Sequence, residues 1–576
     1  MSKMNVEAFL KKWESADNLE YRAELREWMQ NSYTDPQLFW SDLFSCLEKR
    51  ETPSNTVVFE RYDFYADCIL RHLGQGLIAL KLIDPEGAAQ AWSYDEIHAY
   101  VEAQLPHWTE HYGIKPGKTV ALLLPFGIHF LVGLMTALRL GLVVSILPLQ
   151  DRYMGNGQLG KAVALLAPDL IVTERAPEAA SRKNVLELDL TLEMTTSPSD
   201  ESHAYLAAEP VQKHFNPHGT KEESLTVIEA TRSYLLPLRD AVISLNLKHS
   251  SCWARPFLSL YREEPCCTLM ALLTGATLLH IADDHLRTHP KALENETVHI
   301  LGVSLPLLQL WLKTPGCPAS KLKLWYRSPL FGNDHSWRAF SELNHLTKVP
   351  AGQLLIDKEK GGITLFSQPK SEGTLTFMHP SLGSPWKLLK IDGKNALSTE
   401  GFGLFSVEPA NKAERPLVLA QIGDEWSITT TLLPLREGYC YPAQLIEEKV
   451  KTLDFVQTCM AVPERHPQHF LSKQWMLLVF ISPKEHHFVQ QKTEEWTREI
   501  NALIKSEAGE AFIPDQSLFF SMYPQQQKGE IDRASVENQY RSGTLFYKQN
   551  HPIYRLLNLL KQHVYENLAY KTVRQI

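Results

Sequence analysis

The sequence predicts an α/β fold, in which strands of parallel or mixed sheets alternate with helices that cover them. Apolar segments of strand length and of helix length follow one another from about residue 77 to about residue 400, and such alternation is typical of βαβ units. The 576 residues are 44% hydrophobic and 22% charged, which is a globular composition. This length predicts two to four domains with large buried cores.

Charge and cysteine content argue against several classes of protein. The formal net charge of −8 and an isoelectric point near 6.3 disfavour a general nucleic-acid binder, which needs a basic surface. The 8 cysteines include no Cys-x-x-Cys pair, so neither a disulfide framework nor a zinc site is predicted. The N-terminus lacks an apolar signal core, which predicts a cytoplasmic protein, although a specialised secretion route stays open.

The first predicted elements are helical. Residues 1–55 carry large apolar anchors, among them Trp28 and Trp40, and predict a helical segment. Leu77–Ile83 has the composition of a strand. Ser93 and the glutamate three residues later form a predicted capping box, which opens an amphipathic helix that ends near His111.

A long apolar stretch, Thr119–Leu149, has the length of a membrane helix. Pro125 and Arg139 interrupt it, and Gly141 stands where a helix would end. A buried βαβ unit explains the stretch better, so no membrane span is predicted. The unit consists of strand 119–124, helix 126–140 and strand 142–147.

The alternation continues beyond this unit. Strands are predicted at 170–173, 276–281, 299–303 and 322–326, and helices at 228–245, 266–273 and 306–313. These elements complete the large α/β region.

A segment near the C-terminus resembles a known signature. From Pro524 to Arg533 the chain reads Pro-Gln-Gln-Gln-Lys-Gly-Glu-Ile-Asp-Arg, which is similar to the Pro-x-x-x-x-Gly-Lys-Ile-Asp-Arg of the adenylate-forming (AMP-binding) superfamily. The chain looks closest to its acetyl-CoA and acyl-CoA synthetases. The resemblance implies that the lysine is the catalytic cation, and Glu530 stands in its place. A carboxylate there repels the negative charge that the lysine stabilises, so we predict impaired or lost catalysis.

The segment Gly438–Glu447 resembles Gly-Tyr-Arg-Ile-x-Pro-x-Glu-Ile-Glu, where chains of this family enter a small, mobile C-terminal domain. This implies a small α+β domain and a hinge that includes Pro434 and Gly438. Proline stiffens such a segment. The predicted domains are a helical segment at 1–55, a large AMP-binding-like domain at 56–434, a small domain at 435–545 and a helical tail at 546–576.

The family wraps the ATP phosphates with a Thr/Ser/Gly loop that ends in Pro-Lys-Gly. Gly219 and Thr220 match this loop, but Glu222 replaces a later glycine and Ser224-Leu225-Thr226 replaces Pro-Lys-Gly. Adjacent carboxylates repel a triphosphate, and the freedom of the second glycine at positive φ is lost. The alternative is a solvated surface loop before a helix.

Two further segments resemble nucleotide-binding motifs. The residues from Asp357 read Asp-Lys-Glu-Lys-Gly-Gly, similar to an aromatic residue followed by Thr-Glu-x-Gly-Gly. The resemblance implies a Mg²⁺-binding role for Glu359 and places Gly361 and the next glycine in the motif, with Lys358 at the threonine position. A surface ion pair is the alternative. Asp424 is the candidate for the ribose-binding aspartate, but its spacing to the hinge is short.

Other polar residues give weaker signals. The histidine pairs His214–His218 and His285–His289 have i,i+4 spacing, yet neither encloses a glutamate in an HExxH motif. His280 has no such partner. Neither Ser304 nor Ser328 lies in a Gly-x-Ser-x-Gly elbow. We therefore predict no metal ligand or nucleophile at these positions.

Two functions stay open at this stage. The first is an acyl-CoA-synthetase-like protein that is catalytically impaired and binds a small carboxylic acid, an acyl or nucleotide-like ligand, or a protein. The second is an active ATP-dependent ligase of a carboxylate to CoA or to a carrier protein, which uses a displaced lysine such as Lys528 or Lys358. The resemblance implies ATP or AMP with Mg²⁺, and CoA or an acyl carrier, as cofactors.

The C-terminal tail predicts one amphipathic helix. Its apolar residues recur at i, i+3/i+4 spacing: Ile553, Leu556, Leu557, Leu560, Val564 and Leu568. Such a helix either packs on the protein's own body or docks on a partner or a second copy.

Overall fold

A computed structural model gives the structure of the chain. It describes Trp40 and residues 61–147, 158–174, 184–191, 202–215, 225–258, 260–318, 320–328, 334–367, 379–384, 386–389, 401–407, 418–422, 427–428, 443–465, 473–507, 513–522, 524, 526–527 and 530–550. Several predictions fall outside these residues: the rest of segment 1–55, the tail beyond 550, and Gly219, Thr220, Asp424, Pro434 and Gly438.

The described chain divides into two compact units, of which the larger includes the residues from 61 to 386. Its nine-stranded sheet has the order β17-β16-β15-β14-β13-β11-β12-β2-β3. The strands from β15 to β2 are parallel to their neighbours, and β3, β16 and β17 are antiparallel. The strands are β2 (Ile78–Ile83), β3 (Ala89–Ser93), β11 (Cys252–Ala254), β12 (Thr277–Ile281), β13 (Ile300–Val303), β14 (Leu324–Arg327), β15 (Ala351–Asp357), β16 (Gly362–Phe366) and β17 (His379–Pro380).

A six-stranded sheet of the same unit has the order β10-β9-β5-β4-β6-β7. Its pairs are parallel, except that β10 is antiparallel to β9. The strands are β4 (Thr119–Leu123), β5 (Val143–Ile146), β6 (Leu170–Thr173), β7 (Val185–Glu187), β9 (Pro210–Phe215) and β10 (Leu225–Glu229); a short pair joins β1 (Arg61–Tyr62) and β8 (Tyr205–Leu206).

Helices lie between the two sheets and on their outer faces. In chain order they are α1 (Phe64–Cys68), α2 (Tyr94–Pro106), α3 (Ile128–Arg139), α4 (Gln158–Leu166), α5 (Ala230–Ile243), α6 (Leu260–Glu263), α7 (Cys266–Thr274), α8 (Asp283–Thr288), α9 (Leu305–Trp311) and α10 (Asp334–Leu343). The predicted capping box opens α2, and both of its hydrogen bonds are present. Helix α3 ends at Arg139, two residues before Gly141, which has the positive φ of 73° that a helix C-terminus favours.

The core follows from alternation along the strands. Val120 and Leu278 face the main core, in which α3, α5 and α7 pack, whereas Ala121 and Leu279 face the outer helices. Successive strand residues point to opposite faces, so both sheets are covered on both sides. Among the described residues, no helix is long and apolar enough to cross a membrane, and the stretch predicted as a buried βαβ unit is one.

The smaller unit contains the described residues from 443 to 550 and most of a four-stranded sheet. Its central sheet has the order β22-β23-β24, with apolar clusters on both faces. The elements are β18 (Trp386–Leu389), β19 (Gly401–Val407), β20 (Val418–Ile422), β21 (Ser427–Ile428), α11 (Ala443–Val450), β22 (Val456–Arg465), β23 (Lys473–Ile481), α12 (Val489–Glu507), β24 (Gln516–Phe520), β25 (Gln526–Gln527), β26 (Glu530–Ile531), α13 (Arg533–Arg541) and α14 (Thr544–Asn550).

The structure corrects one local prediction. Leu225 and Thr226 are part of strand β10, rather than of a loop that leads into a helix, and α5 begins at Ala230 instead of residue 228. The backbone of β10 pairs with β9, Leu225 opposite Phe215. The pairing partner lies ten positions earlier in the chain, and sequence periodicity did not reveal it.

Candidate functional site

Chemically active side chains gather at the carboxyl ends of the parallel strands. Arg255 follows β11, His280 lies near the end of β12, and Tyr326 lies near the end of β14. Phe126 follows β4 of the other sheet, and its ring centroid lies 5.1 Å from that of His280 and 6.0 Å from the Arg255 guanidinium carbon. Ligands of open α/β sheets bind outside such strand ends, so this edge is the candidate site.

Arg255 is buried and already has two acidic partners. Its guanidinium donates to Glu263, 3.1 Å away, and to the fully buried Glu264. Glu264 also accepts from the backbone N–H of Thr268 at 3.0 Å. Burial opposes the charge of Arg255, but the neighbouring acidic groups raise its pKa well above the ordinary value. An anionic ligand would have to displace Glu263 or Glu264 to reach this cation.

Two other neighbours of Arg255, His280 and Tyr326, carry no charge near neutral pH. Burial and, to a smaller extent, the positive charge of Arg255 together lower the pKa of His280 to about 4. Burial raises the pKa of Tyr326 well above its ordinary value, so the phenol stays protonated. Its oxygen accepts from Trp253 Nε1 at 3.2 Å, and it fits because Gly302 has no Cβ, which would lie 2.6 Å from it.

The predicted phosphate loop joins the antiparallel strands β9 and β10. The residues between Phe215 and Leu225 lie outside the described residues, but the paired strands fix both ends of the loop. At the base of this hairpin, His214 Nε2 lies 2.9 Å from Gln212 Oε1. Burial lowers the pKa of His214 well below its usual range, and the charge of Lys358 lowers it further.

Lys358 begins the short 3₁₀ turn Lys358–Lys360, which joins β15 to β16. It is 6% exposed. Lys358 therefore lies near His214, at the base of the β9–β10 hairpin. Nothing in the structure describes the side chain of Glu359, so its predicted Mg²⁺ role stays a prediction. Asp357 ends β15, and its charge acts on the buried Arg232 of α5.

Packing accounts for both glycines of this turn. Gly361 has a φ of +83°, which L-residues with a side chain rarely adopt. A Cβ on Gly362 would lie 2.5 Å from Asp240 Oδ2, since α5 approaches β16 closely. Asp240 Oδ2 accepts from the N–H of Ile363 at 2.6 Å, and Oδ1 accepts from Arg239 at 2.7 Å. The glycine pair thus makes room for a buried carboxylate of the protein itself.

Arg239 and Asp240 form a buried ion pair that ties α5 to its surroundings. Arg239 donates to the carbonyls of Ile363 at 3.0 Å and Leu382 at 2.8 Å. Burial raises the pKa of Asp240 to about 6, and the charge of Arg239 opposes this shift. Trp40, one of the predicted N-terminal anchors, lies 5.8 Å from the Arg239 guanidinium.

In the smaller unit, two separate motifs meet. Arg533 binds Glu447 through two parallel hydrogen bonds of 2.6 and 2.9 Å. Glu447 Oε1 also accepts from the N–H of Ala461 at 2.8 Å. Burial opposes the charge of Arg533, but the hydrogen bonds and the charge of Glu447 raise its pKa. Asp532 caps α13 by accepting from the N–H of Ser535 at 3.1 Å.

The Arg533–Glu447 pair fixes the backbone three residues after Glu530, which by resemblance stands at the position of the family's catalytic lysine. Glu530 opens β26, three residues before Arg533, and pairs with Gln527 of β25. Lys528 and Gly529 lie between these strands, outside the described residues. The short hairpin and the capped helix therefore fix the backbone on either side of position 530.

Neither a family model nor a curated protein matches the sequence, but solved structures do. A Mycobacterium tuberculosis fatty acyl CoA synthetase superposes with a TM-score of 0.57 at 12% identity, over 84% of this chain and 99% of that chain. A Brucella canis acyl-CoA synthetase gives 0.54 at 16% identity, over 83% and 95%. An artificially fused adenylation–PCP di-domain from Klebsiella oxytoca gives 0.53 at 14% identity, over 80% and 94%. The chain has the adenylate-forming fold.

On this fold, several residues at the candidate site escaped the sequence analysis. Arg255, Tyr326, Arg239 and Asp240 belong to no motif that we identified, and His280 lacked a partner in sequence. The sequence predicts no strand before Arg255, so its place at the end of β11 gave no signal. Ser304, one of the two serines considered as nucleophiles, caps α9, with Oγ accepting from the N–H of Leu307 at 3.4 Å.

The described residues fit ATP and Mg²⁺ poorly. Asp240 fills the space that the missing side chain of Gly362 leaves. Glu263 and Glu264 bind the guanidinium of Arg255. Among the described residues, no group of three or more His, Cys, Asp or Glu side chains could hold a metal ion.

Proposed function

We propose that the chain is a divergent acyl-CoA-synthetase-like protein whose acyl-adenylating chemistry is impaired and which acts by binding. Its ligand would be an acyl or small carboxylic acid, a nucleotide-like molecule, or a protein. The observation that carries the proposal is the bidentate Arg533–Glu447 pair. It supports the alignment of the C-terminal motif, in which Glu530 replaces lysine.

The sign of the charge at position 530 decides the chemistry. By resemblance, the lysine bridges the carboxylate and the α-phosphate while negative charge develops between them. A carboxylate at that position raises the energy of the transition state. The loss of one preorganised electrostatic contact costs about 10²–10³ in rate. Glu222 and Glu223 in the predicted phosphate loop act in the same direction, although such losses are not additive.

The larger unit supports the same proposal. At the carboxyl ends of β11 and β12, the cation Arg255 is bound to two glutamates, and burial keeps His280 neutral. These groups give the ends of β11 and β12 a neutral to acidic character, whereas Arg327 ends β14 and Lys358 follows β15. That character favours a neutral or weakly charged ligand over a polyphosphate.

One observation favours the alternative, an active carboxylate–CoA or carboxylate–carrier ligase. Lys358 is buried at the base of the hairpin that carries the predicted phosphate loop, close enough to lower the pKa of His214. The predicted phosphate loop lacks the lysine of Pro-Lys-Gly, and Lys358 supplies a positive charge at the same loop in its place. Lys528, next to the motif glycine, is the second displaced candidate.

Acid-dependent ATP–pyrophosphate exchange tests the proposal. With a broad panel of carboxylic acids, we expect the full chain to show no exchange above an enzyme-free blank, with an active acyl-CoA synthetase assayed alongside. Exchange with any acid would refute impaired catalysis. Its loss in Lys358→Ala or Lys528→Ala would then identify the displaced cation, and Lys484→Ala serves as a control lysine outside both motifs.

Ligand binding is tested on the same protein by its melting temperature. The carboxylates of Glu222 and Glu223 in the predicted phosphate loop repel the triphosphate of ATP. We therefore expect AMP or an acyl-AMP analogue to raise the melting temperature more than ATP with Mg²⁺ does. Ligand at a hundredfold excess over Kd stabilises by about 2.7 kcal/mol, which a melting curve resolves. A larger shift with ATP than with AMP would contradict a nucleotide-like ligand.

A further inference from the structure

The two carboxylates that bind Arg255 differ in their exposure to solvent. The side chain of Glu263 is 29% exposed and accepts from Arg255 Nη1 at 3.1 Å, whereas Glu264 is fully buried and accepts from Nη2. Glu264 also accepts from the backbone N–H of Thr268 at 3.0 Å. A carboxylate that reaches water regains hydration when it leaves its cation, but a buried carboxylate does not. Glu263 is therefore the partner that Arg255 can exchange.

The charges at this place also favour exchange over addition. One guanidinium faces two carboxylates, so an added anion would meet an excess of negative charge. Replacement of the Glu263 carboxylate by the carboxylate of a ligand leaves the number of charges around Arg255 unchanged. A ligand with a single negative charge therefore fits this exchange, and a triphosphate does not.

A second polar group at the same strand ends lacks a partner. His280 Nδ1 is shielded from solvent and has no hydrogen-bond partner within the described ranges of the chain. Such atoms are rare in folded proteins. The Phe126 ring lies 5.1 Å from the His280 ring and 6.0 Å from the guanidinium carbon of Arg255, so the imidazole and the cation border one aromatic ring. Phe126 is only partly buried, which places this ring next to solvent.

We infer that Glu263 takes the place of a ligand carboxylate in the free protein, and that a small monocarboxylic acid with an apolar tail displaces it from Arg255. The ligand carboxylate accepts from the guanidinium, whose fork suits this geometry, and from His280 Nδ1. The apolar tail lies against Phe126. The choice of a carboxylic acid rests on the proposed function, and the internal competitor is an addition to it.

Removal of the charge of Glu263 tests the inference, because a gain of affinity cannot come from a misfolded variant. Glu263→Gln keeps the size of the side chain but weakens its competition for Arg255. Acetate, octanoate and benzoate are titrated against the full chain without nucleotide, and the melting temperature gives the apparent Kd. We expect wild type to bind at least one of these acids, and Glu263→Gln to bind it about tenfold more tightly, since a hydrogen bond between charged groups is lost.

Three controls separate charge, apolar contact and position. Glu294→Gln removes another acidic side chain of the larger unit, 3.9 Å from Lys291, and should bind the acid as wild type does. The methyl ester of the acid carries no charge, so its affinity should be equal in wild type and Glu263→Gln. Arg255→Lys keeps a cation without the fork and should weaken binding of the acid about tenfold. Circular dichroism checks that each variant folds.

Equal affinity of the acid for wild type and Glu263→Gln would overturn the inference, as would the absence of binding of all three acids to both proteins. An equal gain for the acid and its methyl ester would mean that the substitution only opens space, which also overturns it. Pyrophosphate exchange requires ATP, whereas these titrations contain none. Exchange would therefore refute impaired catalysis without changing the affinity difference, and equal affinities would not change the result of the exchange assay.

Discussion

At the residue scale, the Glu447–Arg533 pair joins the two segments of the small unit that resemble motifs of the adenylate-forming family. The two residues are 86 positions apart and belong to separate segments of the sequence. Glu447 is buried, whereas the Arg533 side chain is 49% exposed. A buried carboxylate without its cation would keep most of its desolvation penalty. Folding of the small unit therefore selects this pair, whatever stands at position 530.

Replacement of the carboxylate by an amide tests this role. Glu447→Gln keeps the size of the side chain but removes the charge that Arg533 binds, so we expect the free energy of unfolding to fall by about 1 to 2 kcal/mol. The matched control is Glu537→Gln, because Glu537 pairs with Arg541 on the surface. That substitution should change stability by less than about 0.5 kcal/mol.

Urea denaturation of the full chain, followed by tryptophan fluorescence and circular dichroism, measures both variants. Equal effects of Glu447→Gln and Glu537→Gln would show that the pair in the small unit contributes no more than an exposed ion pair. The pair would then give no structural reason for Arg533 to stand at this position. The main support for aligning Glu530 with the lysine of the family signature would be lost with it.

At the element scale, the hairpin of β15 and β16 docks against α5 through Asp240. Close approach of a helix to a strand requires a residue without a side chain, and Gly362 supplies it. In the sequence, this glycine resembled part of a nucleotide-binding motif. The contact with Asp240 provides a packing reason for the same residue, which does not depend on a ligand.

Gly362→Ala should destabilise the chain by about 1 to 3 kcal/mol, as overpacking of a buried site does. Asp240 is held by Ile363 and Arg239 and has no room to withdraw. Gly352→Ala in β15 is the control, because its Cβ would meet no atom closer than 3.8 Å. It should leave stability unchanged or raise it by up to about 1 kcal/mol. Thermal and urea unfolding measure both, and equal stability of the two variants would contradict the packing explanation.

At the scale of the whole molecule, the question is what the C-terminal tail does. Helix α14 ends at Asn550 with Phe546 and Tyr547 41% and 60% exposed. The remaining 26 residues, 551–576, lie outside the described residues and carry the predicted amphipathic stripe. Because exposed apolar surface is commonly covered by another apolar surface, we predict that the tail packs on its own chain.

Truncation after Asn550 should lower the melting temperature by several degrees and leave the mass in solution unchanged. Light scattering gives the mass, and calorimetry gives the melting temperature. Leu556→Asp/Leu560→Asp should reproduce the loss, whereas Lys561→Ala/Gln562→Ala on the polar face should not. An unchanged melting temperature together with loss of a dimer or complex would mean that the tail docks on a partner instead.

The sequence by itself determined the α/β class, the buried βαβ unit and several other strands and helices of the large unit, and the resemblance to adenylate-forming enzymes. Those features are local: apolar periodicity, the Ser93 capping box and the glycine after α3 act within a few residues. The strand at Leu225 was missed because its partner strand, not its own composition, makes it a strand.

Only the tertiary structure decided which side chains meet. Strand order brings Arg255, His280 and Tyr326 to one edge of the sheet from positions more than 70 residues apart overall. Tertiary packing likewise brings the carboxylate of Asp240 next to Gly362 and the carbonyl of Pro85 next to the ring of His285. Periodicity shows which face of an element is buried. How the elements pack decides which side chain lies across that face, and this neighbour sets the charge and protonation of a buried group.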